Sequence, residues 1–222
     1  FVLENKVIVW IPGIGKNYKF NNDFSVFGGV HKGFSPTSNT PGQGAEESIN
    51  YEIGTRFSIK GLQGELVGFY NDYQNLLGSD LTATGGTGSL DQFNAGKVRV
   101  SGIEFLLNYN LLYNTSEKFK LPISISYTLT DTEFLTSFNS NEDIYGIVTK
   151  GDEIPYIAKH QLNATFGLEH KKFEVNLNLR YTSAFRTRAG SGQIPDNFKV
   201  DSNFIVDLSA RYFFNKNLNF YF

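Results

Sequence analysis

The sequence predicts an all-β fold, an antiparallel up-and-down transmembrane β-barrel, with about ten strands in this chain. Three observations predict it. Apolar and polar residues alternate with period two in segment after segment, most segments run to ten or more residues, and tight turns alternate with long polar loops along the chain. Period-two alternation puts one residue class on each face of a strand. Strands of ordinary soluble domains average about five or six residues, whereas a tilted membrane-crossing strand needs about 9–11. Short turns at one end and long loops at the other are the pattern of a membrane barrel.

The segments read as strands are 7–20, 24–34, 48–60, 64–77, 96–111, 120–134, 158–170, 172–185, 200–213 and 217–222. In the first, Gly13 and Gly15 mark a kink or bulge. In the third, Ile49, Tyr51, Ile53, Phe57 and Ile59 share a face opposite Asn50, Glu52, Gly54, Arg56 and Ser58. The sixth alternates Ile123, Ile125, Tyr127 and Leu129 with Ser124, Ser126 and Thr128. The seventh and eighth do the same, with Leu162, Ala164, Phe166 and Leu168, then Phe173, Val175, Leu177, Leu179 and Tyr181. Turn chemistry falls at 21–23, 61–64, 114–117, 170–172 and 215–217, and long loops at 35–47, 78–95, 135–157 and 186–199. Aromatic residues gather near strand ends: Trp10, Tyr18, Phe20, Phe24, Phe34, Phe57, Tyr73, Tyr109, Tyr181, Phe185 and Tyr212. In a barrel they form two interfacial girdles.

Composition bounds the function. Of 222 residues, 15% are aromatic and 19% charged, and the net charge is −2. That balance gives no field favouring nucleic acid. Cysteine is absent, which excludes disulfides and thiolate metal sites. Methionine is also absent, even at position 1, so a longer product is expected. No apolar stretch reaches the length of a membrane helix, but closed barrels cross with strands. The three histidines, His31, His160 and His170, show no metal-ligand spacing, and no Gly-x-Ser-x-Gly elbow supports acyl transfer. The glycine run 85–88 lacks a following Lys-Ser/Thr, and Asn139, Glu142 and Asp143 lack EF-hand spacing; both read as solvated loop. No enzyme, cofactor or metal is expected. The polar face carries Glu52, Arg56, Glu104, Arg180 and Arg211, expected to face the lumen and to pair across strands.

Four segments carry a family resemblance. The run 24–36 (FSVFGGVHKGFSP) resembles a strand leading into a long outer loop of the TonB-dependent outer-membrane receptors. The run 46–56 (EESINYEIGTR) is similar to their Pro-Glu stretch ending in Glu-x-Gly-x-Arg/Lys, with Ala45 where the proline usually stands. Residues 66–73 (LVGFYNDY) resemble the aromatic strand that follows, and 94–104 (NAGKVRVSGIE) the N-x-G-x-x-x-x-x-G-x-E strand. The likeness is strongest over 8–110 and 155–212, and nearest the ferric-citrate and siderophore branch.

The resemblance implies a barrel of 22 strands in the outer membrane of a Gram-negative bacterium. A plug domain fills it and would touch Glu52, Arg56, Glu104, Arg180 and Arg211 where these do not pair, and it imports a ferric chelate with energy from the TonB complex. Residues 1–222 would then be a partial barrel, with the plug and the final strands outside this chain; the alternation of Leu218, Phe220 and Phe222 also mimics an outer-membrane C-terminal signal. Arg186 and Arg188, at the mouth of an outer loop, suit a carboxylate-rich chelate such as ferric citrate. Tyr145, Phe138, Phe93 and Gln92 would add contacts from neighbouring loops. The alternatives are a passive porin-type channel and a soluble β-sandwich carbohydrate-binding module.

Overall fold

The period-two segments fold as strands that pair in chain order. In a computed structural model that describes residues 9–36, 45–76, 96–116, 118–140 and 143–222, they are β1 (Gly13–Lys19), β2 (Phe24–Ser35), β3 (Glu46–Ile59), β4 (Leu62–Gln74), β5 (Val98–Asn110), a stub β6 (Phe119–Lys120) and β7 (Pro122–Phe134). Next come β8 (Phe138–Asn139), β9 (Ile147–Val148), β10 (His160–His170), β11 (Phe173–Thr182), β12 (Phe185–Arg186), β13 (Lys199–Val200), β14 (Asn203–Phe213) and β15 (Asn219–Tyr221). All long strands lie in one antiparallel sheet in the order β1-β2-β3-β4-β5-β7-β10-β11-β14-β15. β8 with β9 and β12 with β13 form separate two-stranded ladders within the long loops. Among the described residues no second large sheet covers this one, so the β-sandwich reading fails.

The register shows how the faces separate, because directly opposed residues share a face. One row crosses nine strands as Tyr18, Val26, Thr55, Leu66, Phe105, Tyr127, Leu162, Tyr181 and Phe204. One residue along, the row reads Asn17, Phe27, Gly54, Val67, Glu104, Thr128, Gln161, Thr182 and Asn203. The first row starts beside a tight turn and ends where β14 emerges from a long loop. The register therefore climbs a strand length across the sheet, the stagger a closing barrel requires.

The apolar face is left open. Leu208 is 70% exposed, Ile53 67% and Phe204 62%. A stripe this apolar is not a face that meets water in a monomeric soluble protein. Its aromatics fall in two bands. Tyr18, Phe20, Phe24, Phe57, Tyr109, Phe119, Phe173 and Tyr212 lie toward the tight turns, whereas Tyr51 faces Tyr70 at 6.1 Å and Tyr127, Tyr181 and Phe204 lie toward the long loops. Tyr181 is eight positions from Phe173, and Phe204 eight from Tyr212. At ~3.4 Å per residue that is about 27 Å along the strand, or about 20 Å of membrane depth at a ~40° tilt. Tyr73 does not join a girdle: it opposes Ser48 and Val98 and packs against a cluster at the long-loop end. Phe185 lies in the β12 stub instead.

Three local expectations are corrected. The β3–β4 turn is Lys60-Gly61, not 61–64. Both residues have positive φ, 42° and 82°, which twists a two-residue hairpin with the strands. No bulge occurs at Gly13 or Gly15, since β1 pairs with β2 in unbroken register from Gly13 opposite His31 to Lys19 opposite Ser25. The strand read as 120–134 is interrupted beside Pro122, which has no N–H for the ladder. Its ring lies where a Cβ on Gly167 would come within 2.7 Å, so glycine makes the room.

The loop read as 135–157 also departs from a plain polar tract. It folds back through β8 and β9 and carries its own apolar cluster of Leu76, Val98, Phe134, Tyr145, Val148 and Ile154. Among the described residues, these are six of the ten buried apolar side chains, Pro155 included. The sheet spends little of its apolar surface on a protein core.

Candidate functional site on the polar face and at the long-loop end

The register brings all five candidate polar-face residues onto one face. Arg56 and Arg180 share a row that runs Ser25, Arg56, Glu65, Leu106, Ser126, Asn163, Arg180 and Ile205. Glu104 opposes Val67 and Thr128, Glu52 opposes Gly29 and Phe69, and Arg211 opposes Glu174 and Tyr221. The five do not pair with one another. Arg56 bonds its register partner Glu65 and stacks its guanidinium 4.2 Å over the Phe27 ring. Arg211 bonds the Tyr221 hydroxyl and lies 3.9 Å from Glu174. Among the described residues, Glu52, Glu104 and Arg180 form no ion pair. Unpaired charge on a folded face implies water or a charged partner against it.

Glycine shapes the same face. A Cβ on Gly54 would sit 2.5 Å from the Phe27 ring, and one on Gly102 2.7 Å from the Phe69 ring. Each ring therefore lies flat along the neighbouring strand and leaves room in front of the sheet. A hollow of about 320 Å³ opens on this face at the tight-turn end, around Lys19, Gln63, Glu65, Arg56 and Asn108.

At the long-loop end the candidates separate into two kinds. Arg186 is 3% exposed; its Nε donates to Glu153 Oε2 at 2.7 Å and its Nη2 to the Gly192 carbonyl at 3.1 Å. The Tyr156 N–H donates to the Arg186 carbonyl, and Glu153 bridges to Gly190. Arg186 is thus a clamp between the 135–159 and 183–202 loops. Tyr145 is 1% exposed and packs edge-on against Phe134, and Phe138 packs on both. Arg188 differs. Its guanidinium lies 5.2 Å over the Phe198 ring and against Gly146, where a Cβ would come within 2.2 Å of Nη2. Among the described residues no carboxylate pairs with Arg188. Phe93 and Gln92 lie outside the described residues, as does Glu142.

Sequence reasoning missed Glu153, Gly146, Phe198 and the apolar cluster. A charged groove of about 140 Å³ lies beside the clamp, with Asp131 and Lys159 joined at 3.0 Å on its wall. That hydrogen bond to Asp131 raises the Lys159 pKa above its ordinary 10.5. No group of three or more metal-ligating side chains occurs among the described residues.

Residues 9–222 match the family model of the TonB-dependent receptor-like β-barrel. The chain belongs to the TonB-dependent receptor family. It is 25% identical over 186 residues to the ferrienterobactin receptor of Escherichia coli strain K12, which covers 79% of this chain and 22% of that receptor. Its fold is similar to that of the ferric yersiniabactin uptake receptor FyuA from Yersinia pestis, at 16% identity and a TM-score of 0.67, covering 93% of this chain and 30% of that one. It is equally similar to the ferric citrate transporter FecA in its unliganded form, at 17% identity and a TM-score of 0.68, covering 92% and 31%. The chain thus spans about a fifth of the curated relative's length and a little under a third of these two solved structures. Barrels of this family lie in the outer membrane of Gram-negative bacteria, and the family is one of receptors and transporters.

Proposed function

We propose that the sheet is barrel wall in an outer-membrane receptor that captures a ferric chelate at its long-loop end and imports it with TonB-supplied energy. The observation that carries the reading is the split of one sheet into an open apolar face with two aromatic bands and a polar face with unpaired charge. The apolar face meets lipid. The polar face lines the lumen, where Glu52, Glu104 and Arg180 meet water or a plug domain from the rest of the receptor.

Within that reading Arg188 is the ligand-facing cation, and Arg186 holds the loops that present it. A guanidinium resting on an aromatic ring keeps its N–H edge free for a carboxylate or other oxygen donor. Tyr145 and Phe138 act by packing the loop. Phe93 and Gln92 remain proposed contacts from the neighbouring loop. Ferric citrate and catecholate-type chelates both offer anionic oxygen, so the chemical class is an anionic ferric chelate.

The test is uptake of radiolabelled iron as a panel of ferric chelates, in cells whose only receptor is the full-length protein containing this chain. Uptake of at least one chelate that stops when TonB is deleted supports the reading. Uptake that persists without TonB is the behaviour of a passive porin-type channel, and would overturn it.

A further inference from the structure

We propose that the turn between β10 and β11 is a binding site for the phosphate of an anionic phospholipid in the membrane leaflet on the tight-turn side. The site sits at the edge of the apolar face. His170 packs in a three-ring cluster with Phe119 at 4.9 Å and Phe173 at 5.0 Å, the two phenyl rings themselves 6.4 Å apart between centroids. The next two residues are Lys171 and Lys172, both exposed. Among the described residues neither lysine forms an ion pair.

Three features point to an anion at this place. First, the acids of the two strands face the other way. Glu169 and Glu174 oppose each other on the polar face, where Lys120 and Arg211 approach them at 3.9 Å. That leaves the lysines of the turn without a counter-charge. Second, the backbone N–H of Lys172 donates to His170 Nδ1 at 3.3 Å. The remaining ring proton is then on Nε2, so the imidazole adds a hydrogen-bond donor to two ammonium groups. Third, the short connections as a group are basic. Residues 171–172 and the turns holding Lys60, Lys118 and Lys216 carry five lysines against the acids Asp23 and Glu117. The long loops show no such excess.

An aromatic band meets the acyl chains and the headgroup boundary, and lysines just beyond it reach lipid phosphate. Phe119, Phe173 and Tyr212 supply that band here, since Phe173 opposes both His170 and Tyr212. The occupant is an anionic phospholipid and not a free phosphate because the rings give the site an apolar floor that only an amphiphile covers.

This inference rests on the membrane reading above, and the experiment separates the two. The full-length receptor is purified from outer membranes and exchanged into nanodiscs of phosphatidylcholine with phosphatidylglycerol at graded fractions, and co-retained lipid is read by native mass spectrometry. Preferential retention of phosphatidylglycerol is expected, falling about fivefold for Lys171→Gln or Lys172→Gln and about thirtyfold for the double variant. Lys150→Gln, at the long-loop end, serves as the control and leaves retention unchanged. Equal retention of both lipids by the unaltered receptor, or a double variant indistinguishable from it, overturns the site while leaving the barrel intact. A receptor that never enters nanodiscs overturns the membrane reading and the site with it.

Discussion

At the residue scale, Arg186 and Arg188 show how far apart two like residues two positions apart can be. Both are arginines of one loop, and by sequence they are equivalent. Burial and the bonds to Glu153 and Gly192 make Arg186 structural. Replacing it with alanine leaves Glu153 without its partner in a half-buried setting, at a cost of about 2–3 kcal/mol. The measurement is limited proteolysis of the intact receptor, and faster cleavage within 135–202 is expected. Arg188→Ala should leave proteolysis unchanged and weaken chelate binding about tenfold to a hundredfold, the range for one charged hydrogen bond. The Lys159–Asp131 pair gives a pH expectation. Its lysine pKa lies above the ordinary 10.5, so the pair's contribution is full below that value and is lost as pH rises beyond it. The two side chains are 54% and 50% exposed, which limits the pair to about half a kcal/mol. Hydrogen exchange around 159 should be flat between pH 6 and 9 after correction for the intrinsic rate, and should rise only above about 10.5.

At the scale of elements, strands were legible and loop interiors were not. Period-two patterning is a local signal, and it placed ten strands and the facing of Glu52, Arg56, Glu104, Arg180 and Arg211 together. The cluster of Leu76, Val98, Phe134, Tyr145, Val148 and Ile154 joins residues up to 78 positions apart. Nothing in a run of Ser, Asn, Gly and Thr with scattered apolar residues reports such contacts. The Lys60-Gly61 turn was displaced because Gly64 looked like a turn residue, whereas its role is to leave room for the Phe57 ring, 2.3 Å from where a Cβ would sit. Two expectations follow for elements. Phe134→Ala removes the centre of the loop cluster and should cost about 3–5 kcal/mol, read as loss of loop protection in hydrogen exchange while the strands stay protected. Gly54→Val drives a branched side chain into Phe27 and should lower receptor stability by about 1–3 kcal/mol, read as reduced resistance of the barrel to heat in detergent.

For the whole molecule, the account holds that one face of this sheet dissolves in lipid and the other lines an aqueous or plugged interior. The energetics are asymmetric. An arginine at Leu208, midway between the aromatic bands, should cost about 2–4 kcal/mol in a bilayer. An arginine at Ser209, on the other face, should cost less than 1 kcal/mol. Family membership was within reach of the sequence through four motifs in order, whereas the stagger of the sheet emerges only from the strand pairing. The chelate was not within reach, because its selection rests on how side chains of separate loops converge in space, which no local pattern encodes.

The most direct test of the central claim uses the absence of cysteine in this chain. Single cysteines are placed in turn at 204–212 of the full-length receptor, carry a nitroxide label, and are read in bilayers for collision with oxygen and with a water-soluble nickel chelate. The account predicts strict alternation: oxygen dominates at 204, 206, 208, 210 and 212, and the nickel chelate or an immobile, shielded signal at 205, 207, 209 and 211. Uniform access to the nickel chelate along the whole strand, or alternation of the opposite phase, would contradict it.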